Sequence, residues 1–257
     1  MKLSVKPQLF KLFALAGGIL GLLLHIVLYK TGMDGKGLLI SGHWAGGGLW
    51  ILTALILAAV ILLTRGIRGP EEYRDAHPVS FLGGIGCFAL AAALGMTAWK
   101  GWPADIILDI LMGVLMFAAA LSLVYIGICR MSGGKPGFFA HSVLCACFAI
   151  RMVWQYQFWS SDPQLMDYVF FLGAYAALML AAYQQAAFDA DMGSHWALWA
   201  ASLAAVYFCI VALRGGVDTW ILLTGGIWAL TNTTCLNPKP RRQRPEMNLE
   251  DEPQEEV

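Results

Sequence analysis

Long apolar segments separated by short polar connections run through most of this chain. Each segment is about 20 residues long, the length at which a helix crosses the hydrocarbon core of a bilayer. Because only a helix or a closed barrel satisfies its backbone hydrogen bonds there, the pattern predicts an all-α membrane protein. Eight transmembrane helices are predicted: Leu9–Tyr29, Trp44–Leu63, Phe81–Trp99, Asp105–Ile128, Phe138–Trp159, Asp167–Phe188, His195–Leu213 and Val217–Cys235.

The composition supports a membrane location. Of the 257 residues 58 % are hydrophobic and 13 % are charged, and the mean hydropathy is +0.63. These values are too apolar for a soluble domain with a polar surface. We therefore expect one eight-helix transmembrane domain over residues 1–236, followed by a polar, disordered cytoplasmic tail over residues 237–257. The formal net charge is zero, so no basic surface indicates a nucleic-acid partner.

Two sequence signals orient the predicted bundle. Twelve of the 17 Lys and Arg residues fall on the side that holds the N-terminus, namely Lys2, Lys6, Lys11, Arg65, Arg68, Arg74, Arg130, Lys135, Lys239, Arg241, Arg242 and Arg244. Amphipathic aromatic residues gather at span ends on the opposite side, namely Tyr29, Trp44, Trp99, Trp102, Trp159 and Trp220. Positive charge marks the cytoplasmic side and aromatic rings prefer the headgroup level. Both termini are therefore predicted to be cytoplasmic.

One predicted span carries a charge near its middle. At a helical rise of about 1.5 Å per residue, Arg151 lies about 4 Å outside the midpoint of span five. By the same rise, Asp109 of span four and His25 of span one lie about 11 Å and about 9 Å to the same side. Ionisable groups inside spans usually face a protein interior or a wet cavity. We therefore expect Asp109 or His25 to lie within hydrogen-bonding or water-bridged distance of Arg151, and favour Asp109 because it neutralises the charge.

The surroundings of Arg151 leave two interpretations open. In the functional one, an outward-facing pocket with aromatic rings at its mouth binds a small anionic solute through Arg151, or couples the protons of Asp109 and His25 to transport. In the structural one, Arg151 and Asp109 form an ion pair that only fixes helix packing. Glycines on the helical faces of His25 and Asp109, among them Gly21 and Gly113, predict that both faces contact other helices. The candidate ligand-binding residues are Arg151, Gln155, Asp109, His25, Trp159 and Trp99.

A second polar stretch, AYQQAAFDADMG, ends span six and contains Gln185, Asp189 and Asp191. Acidic groups at a helix C-terminus oppose the macrodipole, so basic partners are expected. Arg130 and Lys135 in the neighbouring connection are the candidates, and Gly193 is the predicted helix cap. The alternative is an ordinary solvated loop.

The run from Arg151 through WSSDPQLMDY to AYQQAAFDADMG resembles part of an uncharacterised family of polytopic membrane proteins from clostridial-type bacteria. The resemblance covers spans five and six. It implies a location in the bacterial cytoplasmic membrane and transfers no catalytic residue.

Signatures of other functions are missing from the sequence. It contains no His-Glu-x-x-His zinc motif and no phosphate-binding loop, so neither zinc-dependent proteolysis nor ATP hydrolysis is indicated, and an enzyme is not favoured. The six cysteines lie in apolar runs and are expected to be reduced, without metal. No cofactor is predicted, although the five histidines sort to two depths in a layout that resembles two-haem b-type cytochromes.

Two function classes remain open at this point. One is a permease or binding protein for a small solute, and the other is a non-transporting sensor or assembly module whose buried polar residues are structural. The lipid bilayer is the expected partner in both, and the sequence leaves open a protein partner or a homo-oligomer.

Overall fold

The computed structural model describes residues 7–32, 34, 40, 42–67, 69–70, 72–100, 107–159, 165–213 and 218–236. These residues form nine α-helices and no strand. The helices are α1 (Pro7–Thr31), α2 (Trp44–Thr64), α3 (Tyr73–Ala76), α4 (Phe81–Lys100), α5 (Ile107–Ser132), α6 (Phe138–Trp159), α7 (Leu165–Asp189), α8 (His195–Val211) and α9 (Thr219–Thr234). The tail over residues 237–257 lies outside the described residues.

Every predicted span coincides with a helix, and the all-α class is confirmed. In the described part of the chain, six helices are long and apolar enough to cross a membrane: α1, α2, α4, α5, α6 and α7. The helices α8 and α9 contain 17 and 16 residues and fall short of that length. A multi-pass helical membrane protein is the class that this fold indicates.

The helices after α3 pack as a ring. Each of α4, α5, α6, α7, α8 and α9 contacts the next, and α9 returns to contact α4. Outside this ring, α1 and α2 pack against α8. Large apolar side chains remain exposed on the outer helix surfaces and suit lipid contact, among them Ile51, Leu55, Leu62, Leu111, Val114, Phe117 and Leu121.

Glycines allow close approach at several helix contacts. A Cβ atom on Gly86 of α4 would lie 2.3 Å from the Thr231 Oγ1 atom of α9. A Cβ atom on Gly21 of α1 would lie 2.7 Å from Val211 Cγ2 of α8, so the predicted contact on the Gly21 face is confirmed. Small residues let helix backbones approach in a bilayer, where dispersion contacts hold helices together.

Candidate functional site

A buried ion pair joins α6 to the start of α9. Arg151 donates from Nη2 to Asp218 Oδ1 at 2.7 Å, and Gln155 donates from Nε2 to Asp218 Oδ2 at 2.9 Å. Arg151 and Gln155 lie one turn apart on α6, so both side chains reach the same carboxylate. Asp218 directly precedes α9 and is only 2 % exposed. We call Arg151, Gln155, Asp218 and Tyr175 the Arg151 cluster.

The Arg151 cluster keeps two unused hydrogen-bond donors. The Tyr175 hydroxyl of α7 is fully buried and lies beside both Arg151 and Asp218, but it does not reach hydrogen-bond geometry with either. The Nε atom of Arg151 also has no hydrogen-bond partner. Each carboxylate oxygen thus accepts one hydrogen bond, while two donors remain for an acceptor group.

The prediction that Asp109 pairs with Arg151 is wrong. Asp109 lies in the first turn of α5 and is half-buried, and within the described residues Arg151 forms its one ion pair with Asp218. A carboxylate in a first turn is already favoured by the helix macrodipole, so it needs no arginine. One turn further along α5, a Cβ on Gly113 would meet no atom within 4 Å, and Gly113 lines a groove between α4 and α5.

The other predicted site residues are dispersed. His25 holds α1 to α8 through a contact of 2.9 Å between its Nδ1 atom and the Val211 carbonyl oxygen, and its ring packs on Phe170. The direct hydrogen bond of Arg151 goes to Asp218 instead of His25. Trp99 is 81 % exposed and lines a groove of about 300 Å³ between α4 and α5. Trp159 ends α6, and its side chain lies outside the described residues.

A second polar cluster lies at the opposite ends of α6 and α7. Arg130, near the end of α5, donates from Nη2 to Gln185 Oε1 at 2.8 Å. His141 shares a short hydrogen bond through Nδ1 with Asp189 Oδ2. All four residues are at most 4 % exposed, so the solvated-loop alternative is wrong for Gln185 and Asp189, whereas Asp191 is exposed. We call Arg130, Gln185, His141, Asp189 and His77 the Arg130 cluster.

The Arg130 cluster contains many buried polar atoms without hydrogen-bond partners. The donors are Nε and Nη1 of Arg130 and Nε2 of Gln185. Nε2 of His141, Oδ1 of Asp189 and both ring nitrogens of His77 are also unpaired. Buried polar atoms are rarely left unpaired in proteins, so such a concentration requires an explanation.

The predicted basic partners are confirmed in part. Lys135 forms an ion pair with Asp191, as expected. Asp189 is instead paired with His141, and Arg130 bonds the neutral Gln185.

The predicted cap of α7 is wrong. Asp191 has φ 57°, and the backbone N–H groups of Asp191 and Met192 donate to the Phe188 and Ala187 carbonyl oxygens. This is the Schellman arrangement, in which Asp191 takes the left-handed position that Gly193 was expected to occupy.

The α3 segment, residues 69–70 and 72–80, contacts Asp191 after α7 and His195 at the start of α8. His195 Nε2 lies 2.7 Å from the Pro70 carbonyl oxygen, and the Tyr73 backbone N–H donates to Asp191 Oδ1 at 3.0 Å. The hydrogen bonds from Lys135 and Tyr73 lower the pKa of the exposed Asp191 carboxyl. Burial raises the pKa of Tyr73 to about 12. Burial, followed by the charge of Arg130, lowers the pKa of His77 well below its usual value, so this ring is neutral.

Comparison of the chain with family models, curated proteins and solved structures found no match. No group of three His, Cys, Asp or Glu residues in the described part of the chain is arranged to hold a metal ion. Function is therefore inferred from the geometry of the two clusters.

Sequence reasoning identified Arg151 and Gln155 but missed their neighbours Asp218 and Tyr175. It also missed His141 and His77 as members of the Arg130 cluster. Asp218 could have been found from its position, because it is an acid at the predicted outer end of span eight, at the level of the Gln155 turn. Tyr175 carried no signal, since a tyrosine in an apolar run is usually a packing residue.

Proposed function

We propose that the protein is a permease for a small anionic solute in the bacterial cytoplasmic membrane. The supporting observation is that polar clusters occupy both ends of one helix pair. His141 and Arg151 on α6, and Gln185 and Tyr175 on α7, are each ten residues apart, or about 15 Å by helical rise. Buried apolar residues separate the clusters, namely Leu144, Phe148, Leu178 and Ala181.

The proposal includes eight membrane crossings with both termini in the cytoplasm. The helices α8 and α9 are then short spans, at the lower limit of lengths that cross a bilayer. The distribution of Lys and Arg supports this orientation. It puts the Arg151 cluster at the outer side and the Arg130 cluster at the cytoplasmic side.

In this proposal the Arg151 cluster receives the solute from outside. The unused donors, Arg151 Nε and the Tyr175 hydroxyl, bond an acceptor oxygen of the solute. Asp218 holds the guanidinium in place and keeps the empty site neutral, which limits the cost of burying the charge. The apolar layer between the clusters prevents a continuous water path across the membrane.

One observation favours a different function. Asp218 already neutralises the charge of Arg151, and Gln155 bonds the same carboxylate, as in an ion pair that only fixes helix packing. Such an ion pair is sufficient for a sensor or assembly module, whether it acts alone or as a homo-oligomer. The two functions differ in whether the cluster is required for solute movement.

The test is uptake of labelled inorganic phosphate and labelled acetate into proteoliposomes. The double variant Arg151→Gln with Asp218→Asn removes both charges and leaves no stranded buried ion. We expect uptake by the wild-type protein, none by the folded double variant, and full uptake by Arg65→Gln, which removes an exposed arginine at the end of α2. Wild-type uptake no faster than in empty liposomes, or equal uptake by the double variant, would contradict the proposal.

A further inference from the structure

We propose that the Arg130 cluster is a binding site for a small water-soluble oxyanion, with a carboxylate or phosphate group. This inference does not require transport, because it concerns equilibrium binding at the end of the bundle opposite to Arg151. The supporting observation is the buried, charged guanidinium of Arg130, whose side-chain hydrogen bond goes to the neutral amide of Gln185.

Arg130 is the central residue of this argument. Its side chain remains protonated in proteins, so its positive charge is permanent. It is 4 % exposed, and its one side-chain hydrogen bond goes to the Gln185 amide oxygen. A buried charge without an opposite charge is costly, whereas an anion bound to Nε and Nη1 supplies that charge together with hydrogen bonds.

The neighbouring acid does not take this role. Asp189 is committed to His141 through Oδ2, and no hydrogen bond joins it to Arg130. The pairing also orients His141: with the proton on Nδ1, its Nε2 accepts from a protonated oxyanion when the ring is neutral and donates when it is charged. His141 Nε2 is buried and unpaired, and so is the remaining oxygen of Asp189.

Gln185 and His77 complete the set of available groups. The Gln185 amide uses its oxygen for Arg130, which leaves its Nε2 donor free. The His77 ring lies beside that amide without hydrogen-bond geometry. Arg130 and Gln185 thus present three buried donor atoms without hydrogen-bond partners, which is the chemistry that an oxyanion needs.

Access is from the end of the bundle that holds the α3 segment. A cavity of about 480 Å³ lies at the rim of this segment and is lined by Ile67, Gly69, Asp191, Gly193, His195 and Trp196. The segment is held at that rim by the contacts of Pro70 with His195 and of Tyr73 with Asp191. None of the Arg130 cluster residues lines this cavity, so entry from it requires a rearrangement of the α3 segment.

The test is isothermal titration of the purified full-length protein with sodium phosphate and, separately, sodium acetate, against sodium chloride at equal ionic strength. The informative variant is Gln185→Glu, which has nearly the same shape and gives Arg130 an internal counter-charge. We expect phosphate or acetate to bind the wild-type protein, and the affinity of Gln185→Glu to be lower by at least about tenfold. Its melting temperature should be unchanged or higher, which separates lost binding from lost folding.

Two further variants complete the design. Arg130→Gln should also lose binding, and Arg65→Gln, which removes an exposed arginine at the same end, should bind like the wild-type protein. No binding of either anion by the wild-type protein would mean that only water fills the cluster and would overturn the inference. Equal binding by wild-type protein and Gln185→Glu would overturn it too. Either result would leave the uptake assay to decide the proposed function separately.

Discussion

At the scale of single residues, the two clusters differ in how completely their charges are paired. Asp218 receives hydrogen bonds from Arg151 and Gln155, so the Arg151 cluster is neutral as a unit. Arg130 has only an amide oxygen as its side-chain partner. Buried ion pairs and buried lone charges respond differently to mutation, so each cluster can be tested by substitution.

Removing one partner of the Arg151 pair should destabilise the protein strongly. Arg151→Gln leaves the Asp218 carboxylate buried without its counter-charge, which typically costs about 3–5 kcal/mol. Adding Asp218→Asn should restore most of that loss, since the two residues act as one unit. The measurement is the free energy of unfolding in mixed detergent micelles for the wild-type protein, both single variants and the double variant.

The matched control for this cycle is Arg151→Gln with Asp109→Asn. Asp109 is not bonded to Arg151, so this second change should restore nothing. Recovery with Asp109→Asn and none with Asp218→Asn would contradict the observed pairing.

The identity of the Arg151 partner shows what sequence reasoning lacks at this scale. Helical rise gives the depth of a residue from its number in the span, and this correctly predicted that Arg151 would need a partner near the outer helix ends. Depth does not say which helices are neighbours. Asp109 and Asp218 both had suitable depths, and only the packing of α9 near α6 and α7 selects Asp218.

At the scale of helices, close contacts depend on glycine at particular positions. The contact between α4 and α9 has Gly86 opposite Thr231, with no room for a methyl group. Both helices belong to the ring that encloses the polar clusters. A side chain at this position would separate two elements of that ring.

Gly86→Ala should therefore lower the thermal stability of the protein. The new Cβ would lie 2.3 Å from Thr231 Oγ1, so the helices must shift, and such overpacking typically costs about 1–3 kcal/mol. Gly95→Ala on the same helix is the control, because a Cβ there meets no atom within 4 Å. The melting temperature in detergent should fall for Gly86→Ala only. An equal change in both variants would show that helix propensity, and not the contact, decides the result.

The helices themselves were predictable, whereas the short connecting element was not. An apolar run of span length has a strong signal, and for α6 the predicted and observed bounds agree. The four-residue helix α3 has no such periodicity. It is held by tertiary contacts with Asp191 and His195, which lie more than a hundred residues away in the sequence.

At the scale of the whole molecule, the proposed transport requires the two clusters to face opposite sides of the membrane. Ring closure between α4 and α9 has no sequence signal, because apolar helix surfaces are similar to one another. The orientation of the bundle, in contrast, is indicated in the sequence by the distribution of Lys and Arg. With a cytoplasmic N-terminus and crossings by α1, α2, α4, α5 and α6, the Arg130 cluster faces the cytoplasm and the Arg151 cluster faces the outside.

Labelling of single cysteines in intact cells tests this arrangement most directly. In a variant whose six native cysteines are replaced, Pro240→Cys reports on the C-terminal side, and Lys36→Cys reports on the connection between α1 and α2. With eight crossings, a membrane-impermeant maleimide should label residue 36 and Gly215→Cys, in the connection between α8 and α9, in intact cells, and residue 240 only after the membrane is permeabilised. Labelling of residue 240 in intact cells, or labelling of residue 215 only after permeabilisation, would contradict the eight-span arrangement.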